Sequence, residues 1–395
     1  MPGLLPNVDP DGLLEYSVVY TDRALNHMSG KFQGVMRDIS AVLKEVYNAR
    51  SAIVVPGSGT FGMEAVARQF ATGQKVLVIR NGWFSYRWTQ IFDMGGIPSE
   101  STVMKARRVA EQHQAAFAPA PIGEVVAAIT AQRPAVVFAP HVETAAGMIL
   151  PDDYLRAVAQ ATHAVGGLFV LDCIASGAIW VDMADIGVDV LVSAPQKGWS
   201  GPPCAALVML SDAARQRIDS TTSTSFACDL KKWLQIMETY EGGGHAYHAT
   251  LPTDALTQVR NVMLETRARG FALVRAQQQQ LGEKVRMALV NRGFKSVAAP
   301  GFQAPGVVVS YTDDAGIHSS KAFAALGLQT AAGVPLQCDE PADFKTFRIG
   351  LFGLDKLANV DAAVARLEAA LGQVAGTPTA AAPAPATTRQ ASTVG

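Results

Sequence analysis

An aspartate and a lysine each follow an apolar run with the composition of a buried strand. Asp172 ends "GGLFVLD", and Lys197 lies just past "VDVLVS" in "SAPQKGW". Ligands bind at the carboxyl ends of the strands in an open α/β sheet, so both side chains are expected to face one crevice. A lysine amine there can act as a nucleophile or a base, and a buried carboxylate can hold a positive charge. A structural ion pair would leave the same pattern, so these two residues alone leave both interpretations open.

A glycine-rich turn offers a second chemical feature. The stretch 53–70, "IVVPGSGTFGMEAVARQF", contains G-x-G-x-x-G between an apolar run and a helical pattern. It can bind a dinucleotide, receive one phosphate at a helix N-terminus, or form a tight turn without a ligand. A dinucleotide fold places an acidic residue at the end of the next strand, where this chain has Arg80 and Asn81. A single phosphate, received by backbone N–H groups and the hydroxyls of Ser58 and Thr60, is therefore favoured over an NADP-binding oxidoreductase that uses Arg80.

Two residues near the C-terminus carry further chemistry. Arg348 in "FRIGLFG" has a guanidinium that can grip a carboxylate through two hydrogen bonds, although an isolated arginine on a surface strand is common. Cys338 in "AAGVPLQCDEPADF" falls on a predicted loop, where a thiol can be a nucleophile or an inert side chain.

The elements that must position these residues alternate between strands and helices. Strand-like runs separated by helical patterns predict βαβ units and a mostly parallel sheet covered on both faces, which is an α/β fold. The predicted strands are 52–55, 75–79, 135–139, 168–172, 189–193 and 204–210, with a helix at 153–164 among the connections.

The alternating pattern of strands and helices ends before residue 253. A helical stretch, 253–295, contains no proline and leads to two strand-like segments, "GVVVSYT" and "FRIGLFG", with helices near 318–326 and 358–371. This pattern predicts a smaller α+β domain. The predicted organisation is an N-terminal arm (1–30), a large domain (31–265), a small C-terminal domain (266–375) and a disordered Ala/Pro/Thr-rich tail (376–395).

Composition excludes several classes of protein. The 395 residues are 49% hydrophobic and 17% charged with a net charge of −1, which favours neither nucleic acid nor an anionic membrane as a partner. The four cysteines show no C-x-x-C spacing, and no metal site is predicted. The start of the chain does not have the pattern of a signal peptide, and no apolar run approaches the length of a transmembrane helix. We therefore expect a cytoplasmic protein.

Together, the glycine turn, "LFVLDCIASG", "SAPQKG" and "FRIG" follow one another in the order seen in class V pyridoxal 5′-phosphate (PLP) enzymes. The chain resembles the alanine–glyoxylate and serine–glyoxylate (serine–pyruvate) aminotransferases of that family from about residue 50 to 372. The resemblance implies fold type I: a large PLP-binding domain with a mixed seven-stranded sheet, a smaller C-terminal domain, and a homodimer with shared active sites.

The resemblance also implies roles for the charged residues. Lys197 would be the Schiff-base lysine that shuttles a proton between the substrate and the cofactor, and Asp172 would pair with the pyridinium nitrogen of PLP. Arg348 would bind the α-carboxylate of the amino acid and of the keto acid. The phosphate would be held by Ser58, Gly59, Thr60 and Gln196.

Aromatic and hydroxyl side chains complete the implied site. Phe84 in "NGWFSYRW" falls where the family stacks an aromatic ring on the cofactor, and Trp83 is its rival because a one-residue slip would exchange them. Thr144 in "PHVETAAGM" matches the residue that hydrogen-bonds the phenolic oxygen of PLP, whereas His141 in the same stretch is interpreted as structural. In "GGGHAYHATLPTDAL", Tyr247 and Thr250 match residues that reach the phosphate of the neighbouring subunit's cofactor.

The expected reaction moves an amino group from alanine or serine to glyoxylate or pyruvate. No second arginine is evident that would bind a side-chain carboxylate, so small amino donors are favoured over aspartate and glutamate. 2-Aminoethylphosphonate, ureidoglycine and larger amino acids remain open as substrates. A class V cysteine desulfurase or related lyase that uses Cys338 is the alternative, although this chain has Gln196 where desulfurases carry histidine.

Overall fold

The computed structural model describes residues 13–374. Its strands, numbered along the chain, are β1 (Ser51–Pro56), β2 (Lys75–Arg80), β3 (Glu100–Lys105), β4 (Arg107–Arg108), β5 (Phe117–Ala118), β6 (Val136–Pro140), β7 (Val142–Glu143), β8 (Met148–Ile149), β9 (Leu168–Asp172), β10 (Val190–Ser193), β11 (Ala205–Leu210), β12 (Val307–Tyr311), β13 (Ala331–Ala332) and β14 (Thr346–Gly350).

The helices surround these strands. They are α1 (Gly30–Tyr47), α2 (Gly59–Phe70), α3 (Trp83–Gly95), α4 (Ile122–Gln132), α5 (Asp152–Ala164), α6 (Met183–Ile186), α7 (Asp212–Arg217), α8 (Leu230–Glu241), α9 (Thr253–Arg269), α10 (Phe271–Val290), α11 (Ala315–His318), α12 (Lys321–Ala324), α13 (Leu354–Ala358) and α14 (Val360–Val374), with a 3₁₀ turn at Ile218–Ser220.

A seven-stranded sheet in the order β1-β11-β10-β9-β6-β2-β3 forms the centre of the larger unit. β11 runs antiparallel to β1 and β10, and the other neighbouring pairs are parallel. Nearly every residue of its inner strands is buried, because helices cover both faces, and this explains their continuous apolar runs. The predicted mixed, mostly parallel α/β sheet of fold type I is confirmed.

The edge strand β3 was not predicted. Its sequence, "ESTVMK", lacks a continuous apolar run, and all of its residues are exposed or half-buried. It joins the sheet through a parallel pairing with β2. A strand at the edge of a sheet buries less of its surface, which leaves a weak sequence signal.

A second sheet in the order β12-β14-β13 is antiparallel throughout. β12 and β14 overlap the two predicted strand segments. α10 packs against β12, and α13 and α14 pack against α10. The predicted helix near 318–326 is instead two short helices, α11 and α12, separated at Ser320, whose φ of 65° interrupts the helical backbone.

The connection between the sheets is helical, as predicted. α9 ends and α10 begins at Gly270, whose positive φ of 91° breaks the stretch into two helices. The predicted domain boundary at 265–266 falls inside α9 and stays a prediction.

The Ala/Pro/Thr-rich tail at 376–395 lies outside the described residues, and so do residues 1–12 of the predicted arm. Within 13–374, no helix is both long enough and apolar enough to cross a membrane.

Candidate active site

A crevice opens at the carboxyl ends of β9 and β10, where the parallel strands of the large sheet meet α2 and α3. Its walls bring together eight of the residues singled out from the sequence with five others. The lining residues are Ser58, Gly59, Thr60, Met63, Phe84, Arg87, Val142, Thr144, Asp172, Ile174, Ala175, Gln196 and Lys197.

Each glycine of the turn before α2 has its own structural reason. Gly57 has a φ of 124°, which L side chains rarely adopt. A Cβ at Gly59 would lie 2.6 Å from Ile174 Cδ1, and one at Gly62 would lie 2.4 Å from Ala206 Cβ of β11. The turn therefore needs glycine for its backbone and for close packing of α2 on the sheet.

The N-terminus of α2 opens into the crevice. Ser58 is the N-cap of α2, but its hydroxyl makes no capping hydrogen bond, and Thr60 lies in the first turn. The first N–H groups of a helix have no intrahelical partner and favour an anion. One phosphate can be received here by these N–H groups and the two hydroxyls.

Arg80 does not face this turn, which removes the side chain on which the NADP alternative depended. It is buried, donates a hydrogen bond from Nη2 to Thr89 Oγ1 at 2.9 Å and one from Nη1 to the carbonyl of Gln337 at 3.3 Å, and stacks on Tyr86. Its role in this fold is to join α3 to the 337 loop.

Asp172 lies at the end of β9 with only 7% of its surface exposed. One carboxylate oxygen, Oδ1, accepts a hydrogen bond from the Ile174 N–H at 2.9 Å. Burial raises the pKa of Asp172 to about 6, although Lys197 and the Ile174 hydrogen bond favour the charged form. A buried carboxylate with one protein donor is suited to pair with a cationic ligand group.

Lys197 faces Asp172 from the loop after β10. Its ammonium lies 5.7 Å from the ring centre of Phe84 and 5.8 Å from that of Phe352. Burial lowers the pKa of Lys197, with Asp172 and Glu143 opposing the shift. A lysine whose amine deprotonates more readily than usual is a better nucleophile and base.

The loop that carries Lys197 is held by close backbone packing. A Cβ at Gly198 would lie 2.2 Å from the carbonyl oxygen of Gly177, so only glycine fits there. Ser200 has a φ of 57°, and its hydroxyl accepts a hydrogen bond from the N–H of Leu354 at 3.2 Å. These contacts tie the lysine loop to the backbone at Gly177 and to the start of α13.

Phe84, rather than Trp83, lies at the crevice. Besides Lys197, its ring has the guanidinium carbons of Arg87 and Arg348 at 5.3 and 5.6 Å from its centre. Trp83 is absent from the crevice walls and pairs with Tyr86 instead. Of the two rings, Phe84 is the one that lines the crevice, and its stacking on a cofactor stays a prediction.

Glu143 is a residue that the sequence reasoning missed. Its buried carboxylate accepts hydrogen bonds from the N–H groups of Phe84 (3.2 Å), Ser85 (2.8 Å) and Ala145 (2.9 Å), and from Ser85 Oγ (2.7 Å). It thereby caps α3 and fixes the start of that helix to the loop carrying Thr144. Its sequence signal is an acidic residue at the end of an apolar run, which does not reveal the donors.

Arg87 was also missed. It lies one helical turn after Phe84, lines the crevice, and donates from Nη1 to Thr60 Oγ1 at 3.0 Å. Within residues 13–374 it has no acidic partner at ion-pair distance. The i, i+3 spacing from Phe84 was the available signal, since residues three apart share a helix face.

Thr144 supplies an unpartnered polar atom. It is 6% exposed, and in the described chain its hydroxyl oxygen has no hydrogen-bond partner. A buried hydroxyl without a hydrogen-bond partner is costly, and a ligand atom in the crevice would supply one.

His141 has the setting of a structural histidine. It is buried, its Nδ1 hydrogen-bonds Ser176 Oγ at 2.7 Å, and burial lowers its pKa to about 3.

The remaining predicted residues lie at different distances from the crevice. Arg348 on β14 is half-buried, donates from Nε to the Ala332 carbonyl at 2.8 Å, and approaches Phe84 from the second sheet. Tyr247 and Thr250 hydrogen-bond each other at 3.2 Å and do not line the crevice of their own chain.

Cys338 does not have the setting of a reactive thiol. It is 4% exposed, and its sulfur contacts the carbonyl oxygens of Arg80 and Leu336. Burial raises the pKa of Cys338 to about 12, so the thiolate needed for nucleophilic attack is disfavoured. It is not among the residues that line the crevice with Lys197.

The residues of the crevice fit PLP. The N-terminus of α2 can receive a phosphate, the hydroxyl of Thr144 awaits a polar partner, Asp172 can hold a protonated ring nitrogen, and Lys197 can bond a carbonyl carbon. The phosphate, the ring and the aldehyde of PLP would therefore each lie against a crevice group of matching chemistry.

This fold and crevice define a PLP-dependent transferase of fold type I. The family model described as aminotransferase class-V matches residues 13–329, and the chain belongs to this family of PLP enzymes.

Individual relatives differ in activity. A 2-aminoethylphosphonate–pyruvate transaminase of Vibrio parahaemolyticus is 25% identical over 85% of this chain and 88% of its own length. An alanine–glyoxylate aminotransferase of Rattus norvegicus is 25% identical over 88% of this chain and 82% of its own. The crystal structure of an alanine–glyoxylate aminotransferase from Nostoc sp. matches with a TM-score of 0.74, 22% identity and 88% of both chains covered, which shows the shared fold.

Proposed function

We propose that this aminotransferase moves an amino group from a small amino acid, alanine or serine, to glyoxylate or pyruvate, with Lys197 as the residue that bonds the cofactor. The observation that carries the proposal is the convergence of Lys197, Asp172 and Phe84 on one crevice, with Arg348 approaching the same ring. The alanine–glyoxylate relative supports the substrate pair.

Each side chain has a distinct task in this proposal. PLP, when bound, supplies a carbonyl that accepts the amino group and a ring that withdraws electrons from the substrate. Lys197, once the amino acid has displaced it from the cofactor, would use its amine, whose pKa is lowered, to carry a proton from the substrate Cα to the cofactor. Asp172 keeps the ring nitrogen protonated, and Phe84 orients the ring by stacking.

Arg348 binds the substrate carboxylate in this proposal. No acidic side chain among residues 13–374 pairs with its guanidinium, and Nε alone is used by the Ala332 carbonyl. The two terminal nitrogens are therefore available for a bidentate grip. Arg87 donates to Thr60 in the first turn of α2, so the proposal leaves Arg87 to that helix N-terminus and assigns the single carboxylate of a small amino acid to Arg348.

The working enzyme in this proposal is a homodimer. Tyr247 is 54% exposed and pairs with Thr250 away from its own crevice. Both hydroxyls are thus available to a second copy, where they would reach the phosphate end of that copy's crevice.

A donor panel tests the substrate assignment. Purified enzyme with PLP is assayed for alanine, serine, aspartate, glutamate and 2-aminoethylphosphonate against glyoxylate and pyruvate. We expect the highest kcat/KM for alanine or serine. A higher kcat/KM for 2-aminoethylphosphonate or aspartate would contradict the assignment while leaving transamination itself intact.

A further inference from the structure

The hydrogen bond between Arg87 and Thr60 fixes the direction of a hydroxyl group. Arg87 can only donate, so Thr60 Oγ1 is the acceptor in this 3.0 Å contact. The hydroxyl hydrogen of Thr60 is then free to donate to another group. Thr60 lies in the first turn of α2, so that donation can be directed to an anion at the helix N-terminus.

The charge of Arg87 adds to this arrangement. Its side chain has no acidic partner at ion-pair distance in the part of the chain that the structure describes, and it lies against Phe84 at the crevice wall. A guanidinium has five N–H donors, and one protein acceptor, Thr60 Oγ1, is shown for them. The uncompensated charge favours a ligand with negative charge at this end of the crevice.

An independent observation places a ligand in the same crevice. Only 6% of the surface of Thr144 is exposed, and its hydroxyl oxygen has no hydrogen-bond partner among residues 13–374. Asp172, which also lines the crevice, carries a carboxylate that would repel a phosphate. The anion is therefore expected beside Thr60 and Arg87.

We propose that Arg87 is a positioning and charge-supplying residue for the phosphate of PLP, acting directly and through the hydroxyl of Thr60. This inference rests on the proposed function and extends it to a residue that the resemblance did not assign. At the N-terminus of α2 the phosphate would then meet backbone N–H groups, the hydroxyls of Ser58 and Thr60 and the guanidinium of Arg87, and Arg348 would be left for the substrate.

The test compares the affinity of the apoprotein for PLP with its affinity for pyridoxal, which lacks the phosphate. Dissociation constants are measured by absorbance titration for wild type and for Arg87→Gln, Arg87→Lys and Thr60→Val. We expect Arg87→Gln to weaken PLP binding by roughly ten- to a hundredfold, as for loss of a charge-assisted hydrogen bond, with pyridoxal binding unchanged. Arg87→Lys should lose less than Arg87→Gln, and Thr60→Val should lower the same PLP-to-pyridoxal ratio.

Arg348→Gln is the matched control, because it removes the other guanidinium that lies near the Phe84 ring and should leave that ratio as in wild type. Equal weakening of PLP and pyridoxal in Arg87→Gln, or no weakening, would overturn the inference. A raised KM for 2-aminoethylphosphonate alone, with an unchanged ratio, would assign Arg87 to a substrate anion and also overturn it. A wild-type protein that binds PLP no better than pyridoxal would refute the phosphate site, and one that binds neither would refute the proposed function.

Discussion

Asp172 gives the sharpest test of the electrostatics of the crevice, through its replacement by asparagine. Its pKa is raised from 3.8 to about 6 by burial. One pKa unit corresponds to about 1.4 kcal/mol, so ionised Asp172 lowers the free energy of unfolding of the apoprotein by about 3 kcal/mol. A raised pKa means that the folded state favours protonated Asp172. The free energy of unfolding is therefore highest, as far as Asp172 is concerned, below pH 3.8, and it falls by this amount as the pH rises through about 6.

The assay is unfolding of the apoprotein by urea at pH 4 and at pH 8. We expect Asp172→Asn to be more stable than wild type by up to about 3 kcal/mol at pH 8, with a difference near zero at pH 4, where wild-type Asp172 is mostly protonated. In the presence of PLP the order should reverse, because asparagine cannot pair with a protonated ring nitrogen as a carboxylate does, and transamination should fall steeply.

Asp189→Asn is the matched control. Asp189 is also buried, but it accepts hydrogen bonds from the Phe169 N–H (2.8 Å) and Ser211 Oγ (3.0 Å) and contacts His163 Nε2 (2.8 Å). Loss of its charge weakens satisfied hydrogen bonds and should destabilise the protein by about 1–3 kcal/mol at pH 8. If Asp172→Asn were destabilising at pH 8, or if its effect were the same at both pH values, the reasoning about burial of this carboxylate would be refuted.

Three further predictions concern packing, substrate and the thiol. Gly62→Ala should lower the free energy of unfolding in urea by about 1–3 kcal/mol, because its Cβ would lie 2.4 Å from Ala206 Cβ. Gly34→Ala, in open space on α1, is the control and should be neutral or stabilising. Equal stability of the two variants would contradict the packing argument. Arg348→Gln should raise KM for the amino acid by roughly tenfold or more with the dissociation constant of PLP unchanged, and an unaltered KM would remove Arg348 from the substrate site. Cys338→Ala should leave transamination rates as in wild type, and sulfide release from cysteine that disappears in this variant would restore the desulfurase alternative.

The sequence was most informative where local chemistry determines structure. The apolar run before Asp172 could be interpreted because a strand buried on both faces needs continuous apolar residues, and its last residue must then lie at the ligand edge. The glycine turn could be recognised because Gly57 and Gly62 satisfy local backbone and packing requirements. These features fix the fold class and the position of the crevice.

Residues whose role depends on distant partners could not be assigned. Glu143 is defined by donors on α3 that come nearly sixty positions earlier in the chain, and Arg87 is defined by a hydroxyl on α2. The choice between Phe84 and Trp83 depends on the rotation of α3, which its capping by Glu143 fixes. Helical spacing alone is too coarse to decide between adjacent residues.

The central claim is that Lys197 bonds the cofactor in a class V aminotransferase. The most direct measurement is reduction of the PLP-loaded enzyme with borohydride, followed by peptide mass mapping, with Lys197→Ala alongside as control. We expect a pyridoxyl-phosphate group on Lys197 of the wild type, loss of this modification when alanine is added before reduction, and no modified peptide in Lys197→Ala. A pyridoxyl-phosphate group on a different lysine, or an unmodified wild-type protein that still transaminates, would contradict it.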